Sequence, residues 1–239
     1  MAAMIEAKGL TRCFGGLRAV DGVDFTLESG EIHGLIGPNG AGKTTFVSLL
    51  SGRVPVQSGT IRLQGEDITQ LPAHQRVRKG VAYTFQITSV YPRLSVFDNV
   101  ALASQSHSAG NVAEGVAEAL AKVGLTGLEQ AIAGTLSYGH QRLLEVAMGL
   151  ALKPLVLILD EPTQGLASGE IDGFKTLIRS LVPNTTILLI EHNMDVVMDL
   201  AHRITVLNFG QVLAIGTPTQ IRQNRAVQEA YLGGDDAAG

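Results

Sequence analysis

The octapeptide Gly37-Pro38-Asn39-Gly40-Ala41-Gly42-Lys43-Thr44 constrains this chain more than any other feature, because it fits the pattern G-x-x-x-x-G-K-[ST]. A strand pattern over residues 32–36 precedes it. A helical pattern over 43–51, with apolar Phe46, Val47, Leu49 and Leu50, follows it. A glycine-rich turn in that setting lets successive backbone N–H groups converge on one anion-binding concavity, and the positive end of the helix faces the same point. Residues Gly37 to Thr45 therefore read as a phosphate cradle. Lys43 would reach the outer phosphates and the Thr44 hydroxyl would ligate Mg²⁺. A glycine-rich turn with a chance Lys-Thr is the bland alternative, and both flanks argue against it.

A phosphate loop of this kind calls for an acidic residue at the end of a buried strand near the same metal. Leu155-Val156-Leu157-Ile158-Leu159-Asp160-Glu161 supplies one. Five apolar residues in a row read as a strand buried on both faces, as in a parallel sheet. Charges straight after such a strand sit at the carboxyl edge, where open α/β sheets bind ligands. Asp160 would orient the metal or its water, and Glu161 would act as general base toward an attacking water.

Between these two elements lies Leu136-Ser137-Tyr138-Gly139-His140-Gln141, in which Ser137 is placed to cap a helix. With that segment the sequence resembles the ATP-binding subunits of ABC transporters over nearly its whole length, since it is similar to the family's Leu-Ser-Gly-Gly-Gln signature. The resemblance implies further roles. Gln86 matches the Q-loop glutamine that senses Mg²⁺ and water, His192 matches the switch histidine that contacts the γ-phosphate, and Phe14 sits where the family places an aromatic that stacks on adenine. It also implies two subunits arranged head to tail, each ATP held between the phosphate loop of one chain and Ser137 and Gly139 of the other. The permease subunits would be engaged through residues 86–94, Gln86 to Leu94, and a periplasmic binding protein would take part indirectly. Expected catalytic residues are Glu161, His192, Lys43 and Gln86, and expected metal ligands are Thr44, Gln86 and Asp160. ATP and Mg²⁺ are the expected cofactors.

The layout agrees. Short strands are expected over 5–11, 23–27, 32–36 and 60–64, helices over 112–123 and 137–152, and strand signals return after Pro154 in two apolar runs around a helical stretch, 170–181. A strand pair, 204–208 and 211–215, turns at Phe209-Gly210, and a polar helix near 219–231 precedes a Gly/Asp/Ala tail expected to fray. The expected fold is α/β: a P-loop NTPase core of the ABC type with an antiparallel β region and a helical subdomain insert. One domain spans 1–239, its core about 1–86 and 154–239, its insert about 87–153.

Composition narrows the classes. With 239 residues, 45% hydrophobic and 17% charged, the chain can bury a core without disulfides, and a net charge of −4 gives no global reason to bind nucleic acid. Its one cysteine, Cys13, fits a reducing compartment. Apolar runs are of strand length, and the N-terminus shows no secretory pattern. A cytoplasmic subunit, peripheral on the inner face of the membrane through its permease, is expected.

Thr84-Phe85-Gln86, Gly216-Thr217-Pro218 and the ending Ala230-Tyr231-Leu232-Gly233 look like ATPases of branched-chain or hydrophobic amino-acid importers. Relatives serving urea or amides, and the ATPase of lipopolysaccharide export, share much of this pattern. A soluble non-transport ABC protein is the alternative from another class, and its usual second cassette or long coiled coil does not fit in this length. Two positions depart from the wider family: His140 stands for the signature's last glutamine, and Ala167-Ser168 stand where many members have Asp-Pro. Cys13, His33, His74, His107 and His202 show no ligand-like spacing.

Overall fold

The computed structural model describes residues 2–84, 89–104 and 111–232. Two long strands open the chain, β1 (Ala3–Phe14) and β2 (Leu17–Glu28). They are followed by β3 (Ile32–Ile36), α1 (Lys43–Leu50), β4 (Ser58–Leu63), β5 (Glu66–Asp67), α2 (Ala73–Arg78) and β6 (Val81–Tyr83). Three helices come next: α3 (Val96–Ser104), α4 (Val112–Lys122) and α5 (Tyr138–Ala151). The chain then runs through β7 (Val156–Asp160), α6 (Ser168–Leu181), β8 (Thr186–Ile190), α7 (Met194–Leu200), β9 (Arg203–Asn208), β10 (Gln211–Gly216), α8 (Pro218–Gln223) and α9 (Arg225–Leu232).

Two sheets form. One is antiparallel, in the order β2-β1-β4-β5, and the other has the order β10-β9-β3-β8-β7-β6. In the second, β9, β3, β8, β7 and β6 run parallel and only β10 is antiparallel, paired to β9 across the Phe209-Gly210 turn. Both turn residues have positive φ, 47° and 77°, as a two-residue hairpin of this twist requires.

Strand alternation explains the apolar runs of β7 and β8. Leu157 and Leu159 of β7, with Ile187 and Leu189 of β8, face a core built with α3, α4, α5 and α6. Ile158, Leu188 and Ile190 face the opposite way, into a core shared with α1 and the antiparallel sheet. Both faces of the parallel sheet are covered, so the alternation vanishes from the sequence. Phe46, Val47, Leu49 and Leu50 of α1 are fully buried. At about 1.5–3 kcal/mol for each such side chain, that burial seats the helix that starts at Lys43.

The structure lengthens some expected elements and divides others. β1 and β2 run well past the expected 5–11 and 23–27, because bulges along their pairing let a long twisted ribbon continue. The polar helix expected over 219–231 breaks at Asn224, whose side chain accepts from Val227 N at 3.2 Å and starts α9. Helices α2, α3 and α7 are additions to the elements expected from the sequence. Gln86, His107 and the C-terminal tail from Gly233 lie outside the described residues.

Candidate active site

The parallel strands all deliver their carboxyl ends to one edge. β3 enters the loop 37–42 there, β7 ends on Asp160, and β8 ends just before Glu191 and His192. The loop itself depends on glycine at two positions. Gly42 has φ 99°, and a Cβ there would overlap the carbonyl oxygen of Ala19; a Cβ on Gly37 would overlap that of Leu207. Gly42 is also the N-cap of α1 and offers no side-chain cap, so the first N–H groups of the helix are left for a ligand.

Lys43 folds back over this loop, its Nζ donating to Gly37 O at 2.7 Å and Pro38 O at 3.1 Å. Burial holds the ammonium below the usual lysine range, against the pull of Glu161 and Asp160. Thr44 is exposed and Thr45 half-buried at the same helix start. A cleft of about 460 Å³ lies over the loop, running from Leu17, Arg18 and Phe209 at one end to Glu161 and His192 at the other.

Asp160 is buried and accepts a 2.5 Å hydrogen bond from the Tyr83 hydroxyl. Burial raises its carboxyl above the usual range and the charge of Glu161 adds to this, while Tyr83, Arg53 and Lys43 oppose the shift. Burial and Asp160 together also raise the Tyr83 phenol. The guanidinium of Arg53 lies 4.8 Å over the Tyr83 ring.

Glu161 follows with φ 47°, a left-handed conformation that a non-glycine residue keeps only when its surroundings enforce it. Three contacts do so. Its N–H donates to Ile190 O at 2.9 Å, its carbonyl accepts from Arg142 Nη2 at 3.0 Å, and its Oε1 lies 2.8 Å from His192 Nε2. The arrangement sets a carboxylate and an imidazole at one end of the cleft over the loop 37–42. That pairing suits proton abstraction from water beside an anion.

The remaining expected residues are placed differently. Ser137 caps α5, its Oγ accepting from His140 N at 3.2 Å. Ser137 and Gly139 do not line the cleft over the loop; Gly139 instead lines a separate cavity of about 430 Å³ with His140, Leu143 and Phe174. Phe14 is half-exposed with the Arg12 guanidinium 4.9 Å over its ring, and Leu17 and Phe209, rather than Phe14, form the end of the cleft. Gln86 is not among the described residues.

Comparison with known proteins decides the family. Residues 20–164 match the family described as ABC transporter, and residues 211–237 match the one described as branched-chain amino acid ATP-binding cassette transporter. This chain belongs to the ABC transporter family. It is 42% identical to the high-affinity branched-chain amino acid transport ATP-binding protein BraF of Pseudomonas aeruginosa, over 96% of this chain and 98% of that one. It is 36% identical to the lipopolysaccharide export system ATP-binding protein LptB of Escherichia coli K12, over 98% of both chains. Among solved structures, the ADP conformation of MJ1267, an ATP-binding cassette of an ABC transporter, superimposes with a TM-score of 0.88 at 25% identity, covering 98% of this chain and all of that one. The chain is thus a nucleotide-binding, ATP-hydrolysing ABC subunit. Among the described residues no helix is long and apolar enough to cross a membrane.

Three residues of this ABC site escape the motif reading: Tyr83 on Asp160, Arg142 on the Glu161 carbonyl, and Glu191. Glu191 carries a readable signal, since it directly follows a strand buried on both faces, as Glu161 does. Arg142 lies in α5 and Tyr83 at the end of β6, and no local pattern ties either to residue 160 or 161.

Proposed function

We propose that this chain is the ATPase subunit that powers a membrane permease importing branched-chain or other hydrophobic amino acids. The observation that carries this reading is the match of residues 211–237 to the branched-chain family, outside the part common to ABC transporters, together with full-length similarity to BraF. Similarity to LptB supports a second reading, lipopolysaccharide export. A urea or amide importer follows from the sequence pattern alone.

In the proposed mechanism, the loop 37–45, through the backbone N–H groups of its non-proline residues, and the Lys43 ammonium hold the phosphates of ATP. Phe14, paired with the cleft residue Leu17 at the β1–β2 turn, reaches the base from beside the cleft. The loop fits such a ligand: glycines stand where a Cβ would collide, and the helix start is left without a side-chain cap. One carboxylate, one hydroxyl and Gln86 suit an ion that keeps waters and phosphate oxygens as its other ligands. Thr44, Gln86 and Asp160 would therefore hold Mg²⁺, which when bound neutralises phosphate charge. Glu161 takes a proton from water as the water oxygen attacks the γ-phosphorus and the bond to the bridging oxygen breaks, so that ADP and phosphate leave; His192 holds the Glu161 carboxylate in line. Ser137 and Gly139, remote from the chain's own cleft, serve the ATP of a second ATPase subunit, identical or different. Residues 86–94 engage the permease at the inner face of the membrane, with a periplasmic binding protein acting upstream. In this reading the helical insert spans about 87–153 and the core spans 1–86 and 154–239.

Uptake of radiolabelled leucine by cells expressing either the wild-type chain or Glu161→Gln as sole copy tests the proposal. Loss of leucine uptake with glucose uptake intact is expected. Unchanged leucine uptake overturns the importer reading, and a block in lipopolysaccharide export would favour the second.

A further inference from the structure

Glu191 is a buried carboxylate, 3% exposed, that no step of the proposed mechanism uses. Its Oε1 accepts two hydrogen bonds from one residue, Thr163, from the backbone N–H at 2.8 Å and from Oγ1 at 2.7 Å. Thr163 is itself buried, at 5% exposure. The main-chain N–H groups of Asn193 and His192 lie close enough to the same carboxylate to favour its charged form.

These contacts tie two short segments side by side. Glu161 N donates to Ile190 O, Thr163 bonds to Glu191, and Glu161 Oε1 then meets His192 Nε2 at 2.8 Å. Residues 161–163 are therefore held against residues 190–192 at three points, and the distance between the two side chains that face ATP depends on that attachment. Glu161 is held at φ 47° within this stretch, a conformation its neighbours must enforce. Burying a carboxylate is unfavourable, and burial does push Glu191 above the usual carboxylate range despite its donors. An apolar residue there would spare the fold that penalty, so the carboxylate is better explained by what it positions than by stability.

We propose that Glu191, acting through Thr163, is a positioning residue that sets the Glu161–His192 geometry for hydrolysis. The proposal rests on the reading of Glu161 and His192 as the hydrolytic pair. Glu191 lines a side cavity with Glu161 and His192, but its assigned role is to fix the backbone on both sides of the pair rather than to meet the reacting atoms. Displacing a reacting group by about 1 Å from a distance costs on the order of 10²-fold in rate, so loss of the clamp lowers turnover and leaves ATP binding to the phosphate loop.

The test uses the full-length chain with Thr163→Val, Thr163→Ser, Glu191→Ala and the Thr163→Val/Glu191→Ala double variant. Steady-state ATP hydrolysis is measured together with equilibrium binding of trinitrophenyl-ATP. Thr163→Val and Glu191→Ala should each lower kcat roughly 10- to 100-fold with KM for ATP and nucleotide affinity changed less than about threefold. Thr163→Ser, which keeps the hydroxyl, should restore most of kcat. The double variant should be no slower than the slower single, because both break one clamp. If Glu191→Ala does not fold, the Thr163 valine and serine pair decides alone. A KM that rises in step with the fall in kcat, multiplicative losses in the double variant, or wild-type kcat in folded Thr163→Val overturns the clamp. Glu161→Gln is the control: wild-type turnover there refutes the hydrolytic pair, whereas slow Glu161→Gln beside normal Thr163→Val refutes the clamp only.

Discussion

In Gly42→Ala the new methyl group would sit closer than 3.0 Å to the carbonyl oxygen of Ala19, in a backbone conformation, φ 99°, that L-residues avoid. Gly40→Ala separates these two effects, since Gly40 has φ 77° but nothing within 4 Å of the point a methyl group would occupy. The left-handed conformation costs about 1–2 kcal/mol, and that is the whole of the expected loss at Gly40. Pushing a backbone carbonyl aside in a packed region adds about 1–3 kcal/mol, so Gly42→Ala should lose about 2–5 kcal/mol. For a chain of this size 1 kcal/mol shifts Tm by about 2–4 °C. Thermal unfolding followed by circular dichroism without nucleotide should therefore place Gly40→Ala about 2–8 °C below wild type and Gly42→Ala a further 2–12 °C lower. Gly42→Ala should also lose ATP affinity, because the N–H groups of the cradle move with residue 42. Equal Tm values for the two variants would show that the loop does not press against Ala19, and the reasoning would fail.

Arg142 and Glu145 form a 2.6 Å ion pair, both nearly buried, so Arg142→Met should destabilise by about 3–5 kcal/mol in urea unfolding; a loss under 1 kcal/mol would contradict it. Burial raises the Glu31 carboxyl, but the bonds from His33 and the Glu28 N–H outweigh it and leave the folded pKa below 4.5. A depressed carboxylate stabilises above its unfolded pKa and loses that contribution as pH falls through the folded value. Glu31→Gln should then cost stability at pH 7 and progressively less below pH 4.5, and an equal loss at both ends would refute the assignment. Phe14→Ala should weaken ATP about 2- to 12-fold if the ring stacks on adenine, and leave inorganic triphosphate binding unchanged; equal weakening of both would remove Phe14 from the base site.

The parts of the fold that were legible in the sequence share a physical reason. β7 and β8 are buried on both faces, so their apolar runs mark their length almost to the residue, and the glycine loop after β3 states its own backbone needs. The Ser137 cap and the 209–210 turn were legible because each follows from one residue's local chemistry. Helix α7 also had a local signal, Asn193 accepting from the N–H groups of Asp195 and Val196, but at seven residues it is too short to show a period. Helix α2 had none: Pro72 caps nothing with a side chain, and the helix is anchored by Arg76, which reaches the carbonyls of Leu49, Leu50, Thr69 and Leu71. At the site, motifs named the residues proposed to face ATP, while most of those that hold them were hidden. Arg142 meets Glu161, and Glu191 meets Thr163, across separations that only the packed sheet brings together.

The most direct measurement is single-turnover hydrolysis of radiolabelled ATP with Mg²⁺ by purified Glu161→Gln, with bound nucleotide identified after rapid gel filtration. A carboxylate that takes the proton of attacking water, set over an intact phosphate loop, predicts that this variant retains uncleaved ATP at near wild-type affinity while Lys43→Ala retains little nucleotide of any kind. Release of ADP and phosphate by Glu161→Gln at the wild-type rate would contradict that account of the site.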